Sequence, residues 1–205
     1  MTAPRIAGLV LAGGRGSRLG AAVPKPMVEI GGRPMIAHVL DRFPPAVSPI
    51  LIGVNDREAF APLPYPIVRD RIDGHPGPLA ALDAATHWLR ERRDAATHLI
   101  CLPGDTPFLP ADVCARLADD PGRRPRIARC GGRLHPTVAL WPLACLEDLR
   151  THIEASGNLS VVAFAERTGF DAVDFDASTA VDPFFNVNTP DDLILARATF
   201  DALGI

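Results

Sequence analysis

Residues 5–11, RIAGLVL, form a short apolar run that breaks off at Ala12, Gly13 and Gly14. An apolar segment of this length without polar alternation is a strand buried on both faces, and such strands belong to parallel sheets covered by helices. A helix should therefore follow. Beyond the loop, Pro34 stands at a first helical turn, and Met35, Ile36, Val39, Leu40 and Phe43 recur at helical spacing until Pro44 and Pro45 stop them. Further strands are expected at 49–54 (PILIGV) and 66–69 (PIVR), joined by a connection too rich in proline for a long helix. From Pro78 the positions Leu79, Leu82, Thr86 and Leu89 draw a helical stripe, and the next apolar run, HLICL at 98–102, ends at Pro103, Gly104 and Asp105. The remainder predicts strands near 126–130 and 135–140, a helix from about 142, another near 159–167, and a final helix from Thr189. In that last helix Thr189 is the N-cap, Pro190 the first position and Asp192 the capping-box acid, with Leu193, Ala196, Phe200 and Leu203 on one face.

Strands alternating with helices in this order predict an α/β fold: a doubly wound, mostly parallel sheet with helices on both faces and ligands beyond the carboxyl ends of the strands. A length of 205 residues with 47% hydrophobic content is enough for one core, and no linker or repeat interrupts it, so residues 1–205 are expected to form a single domain. Charged residues are 22% of the chain and the net charge is −3, which argues against a nucleic-acid surface and a disordered acidic tail and favours a small-molecule partner. No apolar run approaches the roughly 20 residues needed to cross a bilayer, and the start, MTAPRIAGLVLAGG, lacks a basic opening and a cleavage site, so the expected location is the cytoplasm. Cys101, Cys114, Cys130 and Cys145 contain no C-x-x-C pair and read as reduced, packed thiols. His38, His87, His98 and His152 show no metal-ligand spacing.

The chemistry concentrates in residues 11–27, LAGGRGSRLGAAVPKPM. A Gly-rich loop after a strand offers backbone N–H groups to an anion. It also holds Lys25, the sole lysine among 21 Lys and Arg residues, a compact point charge suited to phosphate. The dinucleotide fingerprint fails because Leu19 stands where its third glycine belongs, and the P-loop pattern fails because Pro26 follows Lys25.

LAGG followed by Arg18, Leu19, Gly20 and Lys25 resembles the signature loop of nucleotidyltransferases with the nucleotide-diphospho-sugar transferase type of fold. Four further segments, PGPLAAL (76–82), LPGDTPFLPADV (102–113), GGRLHPTVALW (131–141) and FFNVNTPDDL (184–193), resemble in order the motifs of the molybdenum cofactor guanylyltransferase family. The resemblance spans about residues 5–200. It implies transfer of GMP from Mg²⁺-bound GTP to the terminal phosphate of molybdopterin. It implies that Leu11, Ala12, Gly13 and Gly14 line the guanine pocket, that Arg18 and Lys25 hold the triphosphate, that Asp70 meets the guanosine and that Asp105 ligates Mg²⁺. His135 is implied on the acceptor side, Asn186 and Asn188 in acceptor or metal contacts, and carrier or acceptor proteins of the molybdenum cofactor as transient partners. Independently of family, a carboxylate after a buried strand on a Pro-Gly turn suits a hard cation bridging phosphates. Asn186 and Asn188 flank Val187, so extended alternation puts both amides on one side.

Two positions depart from the family pattern. Pro24 replaces the acidic residue usual before the loop lysine, and the run PKPMVEIGGRPMI is closer to sugar-phosphate nucleotidyltransferases. Gly53 stands first in a turn that usually carries asparagine there, with Asn55 two residues later. A cytidylyl- or sugar-1-phosphate nucleotidylyltransferase and a catalytically silent nucleotide-binding module are the alternatives.

Overall fold

The computed structural model describes residues 4–13, 23–72, 77–156, 160–177 and 181–204. Its strands are β1 (Ile6–Leu11), β2 (Glu29–Ile30), β3 (Arg33–Pro34), β4 (Val47–Gly53), β5 (Ile67–Val68), β6 (His98–Pro103), β7 (Arg126–Cys130), β8 (Arg133–Pro142) and β9 (Asp171–Phe175). Its α-helices are α1 (Met35–Leu40), α2 (Pro78–Glu91), α3 (Val113–Leu117), α4 (Leu149–Ser156), α5 (Val161–Thr168) and α6 (Pro190–Leu203). Seven strands make one sheet in the order β5-β4-β1-β6-β8-β7-β9, and β2 and β3 form a separate antiparallel hairpin. Within the large sheet β8 runs antiparallel to both of its neighbours, and the other pairings are parallel. The expected mostly parallel α/β sheet is the one found.

The apolar runs are buried on both sides as their composition requires. Leu9 points into a layer with Leu79, Leu82 and Leu89 of α2, Ile153 of α4 and Phe164 of α5. Its neighbour Val10 points the other way, toward Ile36 and Val39 of α1 and Val113 and Leu117 of α3. Each such side chain contributes roughly 1.5–3 kcal/mol by leaving water. The cysteines are free thiols, three of them buried, and burial pushes Cys101 and Cys114 up to about 12, which keeps them protonated packing groups. Among the described residues no helix is long and apolar enough to cross a membrane.

Three local expectations need correction. Where a helix was expected from about 142, β8 continues to Pro142, because Trp141 and Pro142 pair with Leu99 and His98 of β6; a short 3₁₀ turn at Leu143–Leu146 then precedes α4. The edge strand β9 and the short helix α3 lie where neither was expected. Finally, α6 has its full capping box, but of the four residues assigned to its apolar face Leu203 is 49% exposed, since the helix runs past the surface that covers Ala196 and Phe200.

That surface is the β2–β3 hairpin. Val28, Ile30, Met35, Val187, Ala196 and Phe200 form a third apolar cluster, and the Arg197 guanidinium donates to the Glu29 carbonyl at 3.2 and 3.3 Å. His38 lies under the same cluster, bonded to the Ile30 carbonyl at 3.0 Å and stacked obliquely on Phe200. The hairpin turns at Gly31, whose φ of +58° suits glycine and whose missing side chain leaves room for the Phe200 ring. Gly31→Ala combines an unfavourable φ with an overlap, and should cost about 2–4 kcal/mol. A urea melt checks this: an unchanged midpoint would mean that the α6 contact tolerates the methyl.

Candidate active site

Four parallel strand ends lie in one row. Leu11 of β1 is level with Gly53 of β4 on one side and Pro103 of β6 on the other, and Gly53 is level with Val68 of β5. The chain moves outward from β1 to β4 and β5, then returns across β1 to β6, so the strand order reverses at β1. Ligands of open α/β sheets bind beyond the carboxyl ends at such a reversal. Every candidate on this edge follows the row closely: Ala12 and Gly13 after Leu11, Asn55 after Gly53, Asp70 after Val68 and Asp105 after Pro103. Backbone bonds fasten the edge, from Ala12 N–H to the Gly53 carbonyl at 3.0 Å and from Gly104 N–H to the Leu11 carbonyl at 2.9 Å.

Lys25 enters from the loop after β1. Pro24 leads into a single 3₁₀ turn, Lys25–Met27, in which Met27 N–H bonds back to the Pro24 carbonyl at 2.8 Å. The turn aims the ammonium at three oxygens. Lys25 Nζ donates to Asp105 Oδ2, to Asn186 Oδ1 at 2.9 Å and to Asn188 Oδ1 at 2.6 Å. The side chains of Lys25 and Asp105 are only 11% and 20% exposed. Residues 80 and more than 160 positions apart in sequence thus meet at one nitrogen.

The two asparagines reach it for a packing reason. Segment 185–188 belongs to no ladder, yet Val187 is fully buried in the cluster with Val28 and Met35, so its neighbours on either side point away from that cluster. Val187 N–H also bonds to the Asp105 carbonyl at 3.1 Å, which fixes this segment against the β6 turn. Asn188 N–H and Thr189 N–H donate to the Asp192 carboxylate at 2.9 and 2.8 Å, so the α6 cap holds the end of the segment.

A second pair lies on the β4–β5 side. Asn55 Nδ2 donates to Asp70 Oδ2 at 2.8 Å, and the Asp70 N–H donates to Asn55 Oδ1 at 3.0 Å. Burial pushes the Asp70 carboxyl up, and the Asn55 hydrogen bond opposes that shift. Asn55 belongs among the candidates. Its signal was the asparagine displaced two places from Gly53, and the displacement has a steric reason: a Cβ at Gly53 would come within 3.0 Å of Ala81 Cβ and 3.3 Å of Leu9 Cδ1. Leu11 is half-buried, Ala12 buried and Gly13 exposed, and a methyl on Gly13 would touch the Gly53 carbonyl oxygen at 3.7 Å.

His135 is brought to Phe184, two residues before Asn186, rather than into the Lys25 cluster itself. The rings stack with centroids 4.3 Å apart, and Phe184 meets Phe175 edge-on at 5.3 Å. Burial, with the Arg133 charge, holds the imidazole below its ordinary range, while Asp182 acts in the opposite sense. Arg18 and Gly14 lie outside the described residues.

The cluster also suits a metal. Among the described residues no three His, Cys, Asp or Glu side chains gather as a ligand set. One carboxylate and two amide oxygens do converge here on a cationic group. Mg²⁺ takes hard oxygen ligands and is commonly held by one or two carboxylates together with substrate phosphates. The oxygen set fits that pattern.

The strand-end row and the cationic cluster have the architecture of a nucleotidyltransferase, and residues 8–169 match the family described as MobA-like NTP transferase domain. The molybdenum cofactor guanylyltransferase of Mesorhizobium japonicum is 38% identical over 205 residues, covering 97% of each chain. That of Sinorhizobium fredii is 40% identical over 196 residues, covering 92% of this chain and 89% of its own. Among solved structures, molybdopterin-guanine dinucleotide biosynthesis protein A from Archaeoglobus fulgidus shares the fold with a TM-score of 0.72 at 23% identity, covering 96% of this chain and 99% of its own. The chain belongs to the molybdenum cofactor guanylyltransferase family.

Proposed function

We propose that this chain, as one catalytic domain acting in the cytoplasm, transfers GMP from GTP to the terminal phosphate of molybdopterin and releases pyrophosphate. The observation that carries the reading is the convergence of Lys25, Asp105, Asn186 and Asn188 beside the strand-end row. An oxygen of the acceptor phosphate forms a bond to the α-phosphorus of GTP. The bond from that phosphorus to the bridging oxygen breaks, and pyrophosphate leaves with the electron pair. The acceptor phosphate is already an anion and needs no general base, so the protein's work is positioning and charge neutralisation.

In this reading Leu11, Ala12, Gly13 and Gly14 line the base pocket, and Asp70, steadied by Asn55, meets the guanosine. Arg18 and Lys25 take the triphosphate. His135 and the two asparagines face the acceptor. Asp105, with the asparagine oxygens, would hold Mg²⁺, which supplies positive charge to the phosphate oxygens when bound. Proteins that carry or accept the molybdenum cofactor would dock transiently to exchange the substrate and product.

Guanine selection rests on LAGG, where the bare Gly13 leaves space beside the Gly53 carbonyl. A pocket that pairs guanine's donors penalises bases that leave those groups unmatched. Calorimetric titration should find GTP bound about tenfold or more tighter than CTP. Equal affinities would point to the cytidylyl alternative that PKPMVEIGG suggests. Pyrophosphate release with GTP, Mg²⁺ and molybdopterin tests the reaction itself, and nucleotide binding without release would identify a silent module.

A further inference from the structure

An ammonium has three N–H donors and no acceptor. Lys25 has three acceptors around it, Asp105 Oδ2, Asn186 Oδ1 and Asn188 Oδ1, so in this arrangement no donor is left to meet a phosphate. The same three oxygens are the hard ligand set that a divalent cation would use. Two cations cannot share them at such distances, because their repulsion would face little intervening water.

Which partner moves is decided by anchoring. The oxygens are held from behind: Val187 is buried, its N–H is tied to the Asp105 carbonyl, and Asn188 N–H is tied to Asp192. Lys25 reaches them on a flexible four-carbon stem with freely rotating donors. The lysine is the part that can leave.

We propose that Lys25 is the resident cation of this oxygen cluster in the nucleotide-free enzyme, and that a divalent metal gains Asp105, Asn186 and Asn188 only when a triphosphate draws the ammonium onto its own oxygens. The inference rests on the assignment of Asp105 to the metal. It makes nucleotide and metal enter together: the free protein keeps a low affinity for divalent ions, and the exchange delivers Lys25 to the phosphates as the metal arrives. It also accounts for a lysine at this position, since a guanidinium with its planar fork would neither fill a three-oxygen socket nor withdraw from it as readily.

The test is Mn²⁺ binding to nucleotide-free protein, followed by the electron paramagnetic resonance of free and bound ion. Lys25→Met, which keeps the stem and removes the charge, should bind Mn²⁺ on the order of tenfold or more tighter than the unaltered protein. Lys25→Ala should do the same, which guards against a side chain that simply refills the space. The gain should vanish when Asp105→Asn is added to either. Circular dichroism establishes that each variant is folded. Lysine variants that bind Mn²⁺ no better than the unaltered protein would overturn the proposal. A parallel titration with a non-hydrolysable GTP analogue separates the two assignments. If Asp105→Asn loses nucleotide-supported Mn²⁺ binding while the lysine variants show no gain, the exchange alone is wrong. If Asp105→Asn leaves that binding unchanged, the metal assignment fails and the exchange with it.

Discussion

Asp105→Asn should lower turnover by about 10²-fold or more at fixed Mg²⁺ while leaving the fold intact, on the scale of losing one strong electrostatic stabiliser. The substitution keeps the shape of the side chain, and the backbone contacts of the turn do not depend on the carboxylate: Gly104 N–H still reaches the Leu11 carbonyl, and Val187 N–H still reaches that of residue 105. What it removes is the one formal negative charge among the three oxygens that face Lys25. Lys25 loses its ion-pair partner, and a metal at this place loses its only carboxylate from the set. Raising Mg²⁺ should recover part of the rate if the loss is metal affinity. Steady-state kinetics across a Mg²⁺ series is the measurement, and near-normal turnover at the same Mg²⁺ concentration would remove Asp105 from the reaction.

Lys25→Ala should lower kcat by about 10²-fold and Lys25→Arg by roughly tenfold, with the melting temperature little changed in both. A solvated surface lysine would tolerate arginine without effect, because exposed cations of either kind contribute little. Lys25 is mostly enclosed, on a turn bounded by Pro24 and Pro26, and its nitrogen stands at the meeting point of three oxygens. A guanidinium is larger and planar and places its donors in a fixed fork, so it enters that space only by displacing the oxygens or the substrate from the in-line geometry. Kinetics of the purified variants decide the matter, and wild-type rates for Lys25→Arg would return this lysine to the class of surface charges.

The parts of the fold that a reader of the sequence can see are those where burial acts on both faces at once. RIAGLVL and HLICL could hardly be anything but central strands, and their abrupt ends at Gly13 and Gly104 mark where a ligand would sit. Asp105 is visible for the same reason. Asn186 and Asn188 are visible as a pair, although what aligns them is the burial of Val187 and not a ladder. Other features depend on partners too distant to infer. Asn55 matters through Asp70, fifteen residues on, and the two meet because β4 pairs with β5. The strand β9, DAVDF, looks like a polar connection because it lies at the sheet edge, where Asp174 faces outward to a paired contact with Arg129 at 2.6 and 2.7 Å. The hairpin strands β2 and β3 are two residues each, too short for any periodicity, and it is α6 packing on β2 that puts the Phe200 ring where a side chain at Gly31 would stand.

Lys25 belongs to the first eighth of this sequence and its asparagine partners to the last tenth, 161 and 163 positions away. During synthesis the lysine and Asp105 therefore leave the ribosome well before two of the three oxygens exist. The strands that shape the crevice can pair early, but the cluster waits for the segment that α6 seats against the hairpin. A nascent chain that has not reached residue 186 lacks the oxygens of Asn186 and Asn188 and cannot build this charge arrangement. Closure of the site therefore waits on residues 186 and 188, and it depends on contacts of high sequence separation, which are entropically costly to form and normally among the last.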